Sequence, residues 1–371
     1  MTRHYLDHAS TSPARPQAVA AVAEWLGRVG GDPGRIHAEG LAARVAVETA
    51  REQVAGLFHV APRSVVLTSG ATEAIAAACW GAAERGRHQV LAAVEHSAVR
   101  KAAELHGEVT VVGVDGLGRV DPDELLAAVR PDTALVHLQW GNHEVGTIQP
   151  VAEVVAACRA RGVLVHVDAA QANGHVPLDV EAVGADLVSV SSHKLGGPAG
   201  VGALLVRRGL RIRPLLVGGD QERARRAGLE PVALIAGFGA AAEVLTGSLD
   251  TEASHQRALT QRVLAAVPTF DGVRLYGDPV DRLPHLVCLG VDGVEPQAVL
   301  LGLDRAGVAA HSGSACSSEA LEPSPVLEAM GVDAHHSLRL SVGWSTTDAD
   351  VDAALAALPQ IIRDLRALAA G

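Results

Sequence analysis

Several short stretches of this 371-residue chain carry side chains whose types and places could do chemistry together. In "SSHKLGGPAGVG" (191–202), Lys194 follows an apolar run and precedes a Gly-Gly-Pro turn. A lysine there is either a surface charge or an amine that forms a Schiff base with an aldehyde cofactor. In "HVDAAQ" (166–171), Asp168 ends an apolar run. A carboxylate so placed is unfavourable unless paired. It is either a helix cap or the partner of a protonated pyridine nitrogen, which makes a pyridoxal ring an electron sink. "TSGATEA" (68–74) reads as strand end, glycine turn and helix start. Free N–H groups at Ala71 and Thr72 would form a nest for a phosphate, with the Thr72 hydroxyl beside them. Ser191 and His193 could add donors from the lysine stretch.

Three more residues join this set. His96, in "EHSAV", follows another strand. It is either a satisfied structural group or a ring that stacks on a planar cofactor and moves protons. Arg339, in "LRLSVG", alternates with apolar neighbours on a strand, so its guanidinium must meet an anion. That anion is either a structural carboxylate or the carboxylate of an amino-acid substrate. Cys316 sits in "HSGSACSS" (311–318), where glycine, alanine and serines offer little to bury a thiol. The other cysteines, Cys79, Cys158 and Cys288, lie in apolar helix-like or strand-like runs and read as small buried hydrophobes. The four show no CxxC and no metal-ligand spacing, so no metal is expected.

The elements that must position these residues alternate. Apolar strands at 65–70, 88–94, 133–140, 163–171, 185–194 and 200–208 are separated by helical patterns such as 151–162. This pattern predicts an α/β fold with a mostly parallel sheet covered on both faces. Polar residues gather where the strands end, the usual place for a site in such sheets. The tail reads differently, with a helical run near 250–267, short strands, and a final helix over 348–369. The expected division is a large domain over 14–245, and a smaller α+β domain from 1–13 and 246–371.

Composition narrows the function classes. Hydrophobic residues make up 48% of the chain, enough for a large core. With three Phe, four Trp and two Tyr, that core must be mostly Ala, Val and Leu. Lys plus Arg is 31 and Asp plus Glu is 42, a net charge of −11 that gives little affinity for a polyanion. The dense basic runs are "RRGLRIR" (207–213) and "QERARRAG" (221–228). No run of 18 or more apolar residues suggests a membrane span, and "MTRHYLDHASTSP" lacks a signal peptide's apolar stretch. A cytoplasmic protein without membrane or nucleic-acid partners is expected.

In order and spacing the stretches resemble cysteine desulfurases of the NifS/IscS type, within the class V aminotransferases. "YLDHASTSP", "TSGATEA", "EHSAV", "NHEVGTIQP", "HVDAAQANG", "SSHKLGGPAGVGALLVRR", "GGDQERARRAG", "SGSACSSEALEPSPVLEAMG" and "LRLSVG" follow the family order over nearly the full length. The resemblance implies a homodimer of fold-type I, with a seven-stranded-type sheet and pyridoxal 5'-phosphate as cofactor. It implies Lys194 at the cofactor aldehyde, Asp168 at the pyridine nitrogen, and a catalytic His96 stacked on the ring. Gln171 would lie near the phenolic oxygen, and Ala71, Thr72, Ser191 and His193 at the phosphate. Asn142 would serve cofactor and substrate, Arg339 the substrate carboxylate, and Cys316 would take the sulfur.

The implied reaction turns L-cysteine into L-alanine and passes sulfur, as a Cys316 persulfide, to an acceptor protein or thiol. Acceptors in iron–sulfur assembly, tRNA thiolation and thio-cofactor synthesis all fit. Rival readings on the same scaffold are a selenocysteine lyase, or an aminotransferase or epimerase in which Cys316 is incidental. A non-catalytic scaffold is the remaining class. Two positions depart from the family pattern. The paired Asn of "NNE" is here Asn142-His143, which puts His143 at the ring oxygen. The Thr expected near the partner's phosphate is Leu229, which cannot donate a hydrogen bond. A mobile loop over 312–322 is expected, because the Cys316 thiol must reach both substrate and external acceptor.

Overall fold

The alternating pattern builds a seven-stranded sheet. The computed structural model describes residues 2–28, 30–313 and 323–369; Cys316 and positions 314–322 of the expected loop lie outside the described residues. A short strand β1 (His4–Tyr5) precedes β2 (Val65–Thr68), β3 (His88–Ala92), β4 (Glu108–Val112), β5 (Thr133–Gln139), β6 (Leu164–Asp168), β7 (Leu187–Ser191) and β8 (Gly202–Val206). The large sheet has the order β2-β8-β7-β6-β5-β3-β4. Strands β7, β6, β5, β3 and β4 pair in parallel, while β8 runs antiparallel to both its neighbours. Strand β6, which carries His166 and Asp168, is therefore central. Except for β4, every strand of this sheet is buried along its length. Burial on both faces is why these strands read as apolar runs and not as alternations. Strand β4 is a half-exposed edge, "EVTVV", and lacks that signal.

The helix Val232–Ala266 begins well before the run expected near 250–267. Its first half, "VALIAGFGAAA", holds glycines that lower helix propensity, and packing overrides them. A Cβ on Gly239 would lie 2.5 Å from Ala50 Cα, so glycine is what lets this helix approach the helix Ala38–Leu57. Ile235, Phe238, Ala241 and Leu245 are buried in the same core as Val47 and Val54. By length and composition alone, Val232–Thr269 is long and apolar enough to cross a membrane. Here its buried residues, among them Ile235, Phe238, Ala241 and Leu245, belong to the protein's own core.

A second core lies around β9 (Val273–Tyr276), β10 (Leu286–Val291) and β12 (Ser337–Ser341), an antiparallel sheet with β10 in the middle. Leu259 and Val263 of the long helix join it, as do Leu303 and Val351 from the helices Pro296–Arg305 and Asp348–Ala369. The long helix thus serves both cores and runs unbroken through position 245, where the sequence placed a boundary. Strand β1 pairs in parallel with β11 (Val308–Ala309), so the chain's first turn lies against the second core.

One buried ion pair clamps the edge of the large sheet. Arg51 donates from Nη1 and Nη2 to the Glu222 carboxylate, both at 2.6 Å, and also to the Val65 carbonyl. The Leu67 amide donates to the same carboxylate. Glu222 sits at φ 51, so the clamp holds a left-handed backbone. Replacing Glu222 by alanine removes the buried carboxylate from a buried guanidinium, which keeps only the half-exposed Glu48 and the Val65 carbonyl. The expected loss is about 3–5 kcal/mol of unfolding free energy, read from denaturant midpoints. A loss under about 1 kcal/mol would show that the pair is not structural.

Candidate active site

Five strand ends open into one cavity of about 490 Å³. Ser69, Gly70, Ala71 and Thr72 follow β2, His96 follows β3, and His143 follows β5. Asp168, Ala170 and Gln171 come from β6, and Ser191, His193 and Lys194 from β7. Arg339 and His311 reach it from the second core's side. The parallel strands all point their C-terminal ends here, which is why the polar residues converge.

Lys194 sits on a short 3₁₀ turn, Ser192–Leu195, closed by Gly196 at φ 88. Its Nζ donates to the Ala9 carbonyl and to Gln171 Oε1 at 3.3 Å. Burial lowers its pKa to about 8, helped by the Arg339 charge and opposed by Asp7 and Asp168. Asp168 is buried, and its Oδ1 accepts from the Ala170 amide and the Ser189 hydroxyl, each at 3.0 Å. No described residue donates to its Oδ2. Nearby Glu95 is raised to about 8, by burial first and by the Asp168 charge second. Its Oε1 accepts from the Gln139 amide at 2.6 Å, and its Oε2 has no partner among the described residues.

His96 caps the helix Ser97–His106, its Nδ1 accepting from the Ala98 amide at 3.1 Å. Burial, with His143 and Lys194 adding to it, lowers its pKa to about 4. The ring is neutral, and the cap fixes its proton on Nε2. His143 meets it edge-on, with centroids 5.1 Å apart. Arg339 is buried and donates to the His143 carbonyl at 2.9 Å, Asp7 at 3.1 Å and Ser10 at 2.8 Å. Its Nε has no partner among the described residues. The structural ion pair weighed from the sequence is present, and the side chain also lines the cavity.

At the helix Ala71–Ala82, the first-turn amides of Ala71 and Thr72 have no acceptor within the helix. Gly70, at φ 150, lets the chain enter this turn. The Ser69 amide is taken by Glu73, whose carboxylate Arg226 grips at 2.8 and 3.0 Å. Burial pushes Glu73 up, but the Arg226 and Ser69 hydrogen bonds outweigh it. Arg226 thereby balances a charge that would otherwise repel a phosphate at this nest. His193, lowered to about 4 by burial and by Lys194, holds Thr11 Oγ1 at 3.1 Å.

Asn142 does not join the site. It is fully buried, and its amide serves the main chain: Nδ2 donates to the Val94 carbonyl, and Oδ1 accepts from the Glu144 and Val145 amides. Its side chain braces the turn that presents His143, and Asn142 is not among the residues that line the cavity. Leu229 is exposed, in the segment that follows Arg226.

The residues present fit pyridoxal phosphate. The cavity offers an amine, a buried carboxylate with an unengaged oxygen, a neutral imidazole, and free first-turn amides beside hydroxyls. Residues 4–354 match the family described as aminotransferase class-V. A cysteine desulfurase of Trichormus azollae is 41% identical, over 98% of this chain and 94% of that protein. The cysteine desulfurase IscS 1 of Archaeoglobus fulgidus is 40% identical, over 98% of both chains. A solved NifS-like protein superposes with a TM-score of 0.91 at 31% identity, over 98% of this chain and 100% of that one. The chain belongs to the class-V aminotransferase family. Within that family it groups with the NifS/IscS-type cysteine desulfurases.

Some residues of this class-V site were not singled out from the sequence. Glu95 neighbours His96 in "EHSAV", and a carboxylate beside a strand end was the available signal. His311 opens the cysteine stretch and lines the cavity; burial and the Arg339 charge lower its pKa. Ala9, Asp7 and Ser10 come from the first turn of the chain, whose closeness to Lys194 and Arg339 is set only by tertiary pairing.

The lowered Lys194 amine gives a titration to look for. In the cofactor-free protein, labelling of Lys194 by a small amine reagent should rise with a midpoint near pH 8. Peptide mass spectrometry reads it. A midpoint near the unperturbed 10.5 would mean that burial does not tune this amine.

Proposed function

We propose that this chain is a pyridoxal phosphate-dependent cysteine desulfurase. It converts L-cysteine to L-alanine and hands the sulfur, as a persulfide on Cys316, to an acceptor protein or thiol. The observation that carries the reading is an amine lowered to about 8 in one cavity with a buried carboxylate and a buried arginine. The class-V relatives named above, cysteine desulfurases by name, support the choice of substrate.

In this reading Lys194 anchors the cofactor aldehyde and Asp168 faces the ring nitrogen. His96 lies on the ring face, and His143 and Gln171 serve the ring oxygen. Ala71, Thr72, Ser191 and His193 hold the phosphate. When bound, the cofactor supplies a ring that stores the electron pair left when a bond at the substrate's α-carbon breaks. Lys194 takes the α-proton at Nζ, as a group titrating near the working pH can. His96, with its Nδ1 committed to Ala98, offers a proton from Nε2. Arg339 meets the substrate carboxylate from the cavity wall, its plane fixed by Asp7, Ser10 and the His143 carbonyl. The Cys316 thiolate attacks the substrate's sulfur. An S–S bond forms as the Cβ–S bond breaks, and the carbon then takes a proton to complete alanine.

Two domains accompany this reading: 14–245 around the large sheet, and 1–13 with 246–371 around the second core. The chain works as a homodimer in the cytoplasm, without nucleic-acid or membrane contact. Exposed Leu26, Ile36, Val45, Val217 and Leu229 offer apolar surface for a second copy.

The test pairs absorbance with product assays on purified protein. Wild type should show a visible cofactor band and release alanine and sulfide from L-cysteine with reductant. The Cys316→Ala protein should keep the band and lose sulfide. The Lys194→Ala protein should lose the band and about 10²–10⁴-fold of turnover. Cysteine turnover untouched in C316A would sink the persulfide role. Selenium release from selenocysteine surviving there would move the reading to a lyase.

A further inference from the structure

Behind Asp168, on the side away from the cavity, the three central strands carry a line of polar side chains that the mechanism above does not use. His137 on β5 and His166 on β6 are register partners, and Ser189 on β7 is the register partner of Asp168. All three are fully buried. His137 Nδ1 lies 3.0 Å from His166 Nδ1, with the rings edge-on at 70°. His166 Nε2 lies 3.2 Å from Ser189 Oγ, which donates to Asp168 Oδ1 at 3.0 Å. At the far end, Gln89 Oε1 lies 2.8 Å from His137 Nε2, and Cys79 Sγ lies 3.8 Å away.

The line admits two proton orders. Burial lowers the pKa of both rings, His166 to about 4 and His137 well below the ordinary imidazole value, so each carries one proton. In the first order His137 donates to His166, His166 to Ser189, and Ser189 to Asp168. Gln89 then turns its NH₂ to His137 Nε2, the two ends of its amide being exchanged by a half-turn. In the reverse order the Ser189 proton points at His166, and Asp168 Oδ1 keeps only the Ala170 amide. A carboxylate draws the first order, because hydrogen bonds to an ionised acceptor are about twice as strong as neutral ones.

We propose that His137 and His166 are positioning residues: a buried imidazole pair that holds the Ser189 hydroxyl as a donor to Asp168 Oδ1 and so keeps Oδ2 aimed at the cofactor's ring nitrogen. The inference rests on the cofactor reading above. A donor on Oδ1 fixes the turn of the carboxylate, so Oδ2 is placed to accept a charge-assisted hydrogen bond from the ring nitrogen. The other titratable groups facing Asp168 are Glu95, His96 and Lys194. Those facing the imidazole pair are Asp168 and Cys79.

The test uses the holoenzyme and the variants Ser189→Ala, His166→Leu, His137→Leu and the polar replacement His166→Asn. A protonated ring nitrogen makes the cofactor's other titrating group more acidic, so weakening the relay raises the pH midpoint of the visible band. S189A and H166L should raise it by about one unit and speed cofactor loss on dialysis about tenfold. H137L should shift it in the same direction by less, and H166N should recover part of the shift. S189A removes a single oxygen and keeps the test open if H166L does not fold. With a cofactor analogue carrying carbon in place of the ring nitrogen, wild type and S189A should behave alike. A difference that persists with the analogue, or a natural-cofactor midpoint unmoved by every variant, overturns the relay. Absence of a visible band in wild type would instead overturn the cofactor reading itself.

Discussion

A carboxylate at the end of a central, fully buried strand is the constraint around which this site is built. Left unpaired, Asp168 would be strongly unfavourable there. Two donors, the Ala170 amide and the Ser189 hydroxyl, hold one of its oxygens, and the Lys194 charge lies within reach. The same removal from water that makes Asp168 need partners also tunes its neighbours, in opposite directions. It lowers the Lys194 amine and raises the Glu95 carboxyl, each to about 8. Near neutral pH Glu95, buried beside the cavity, is therefore largely a neutral acid, and the cavity holds an amine that is neutral in a useful fraction of molecules.

Histidine fills much of the space behind these groups, and the reason is its neutral form. Burial keeps His8, His137, His166, His175 and His285 well below the ordinary imidazole range. A neutral ring donates at one nitrogen and accepts at the other, without the penalty of a buried charge. His175 and His285 stack at 3.5 Å with their planes 9° apart, which two charged rings would resist. His285 Nε2 lies 2.8 Å from Gln171 Nε2, and this contact turns Gln171 Oε1 toward Lys194. Asp168 and Gln171, neighbours on one strand end, are thus both braced from behind by imidazoles.

What the sequence made legible follows from this geometry. Parallel strands buried on both faces leave apolar runs, and the polar residue that ends each run is conspicuous. Lys194, Asp168, His96 and Thr72 were found that way, and the structure brings all four to the cavity wall. Spacing gives a residue's place but not the direction of its side chain. Asn142 and His143 are adjacent, yet one faces the main chain and the other the cavity. The imidazole pair lies hidden for the same reason: His137 and His166 sit mid-strand, where only register brings them together. The first half of the long helix was obscured by glycines whose purpose, close approach to a neighbour, is a tertiary fact.

The first turn of the chain shows how far such tertiary facts reach into the chemistry. Strand β1 pairs with β11, and the turn after it brings Asp7, Ala9 and Ser10 against the two residues that handle charge. The Ala9 carbonyl takes the Lys194 amine, while Asp7 and Ser10 take one end of the Arg339 guanidinium. A guanidinium only 1% exposed would be a strongly unfavourable buried charge without such a partner. Because Asp7 already balances part of that charge, an arriving carboxylate joins an existing pair and does not create the first one. Coulomb attraction to Arg339 is weakened accordingly. The plane of its guanidinium is fixed by three hydrogen bonds. Recognition at this arginine therefore rests on the placement of a donor more than on net charge, and that placement depends on a turn from the opposite end of the chain.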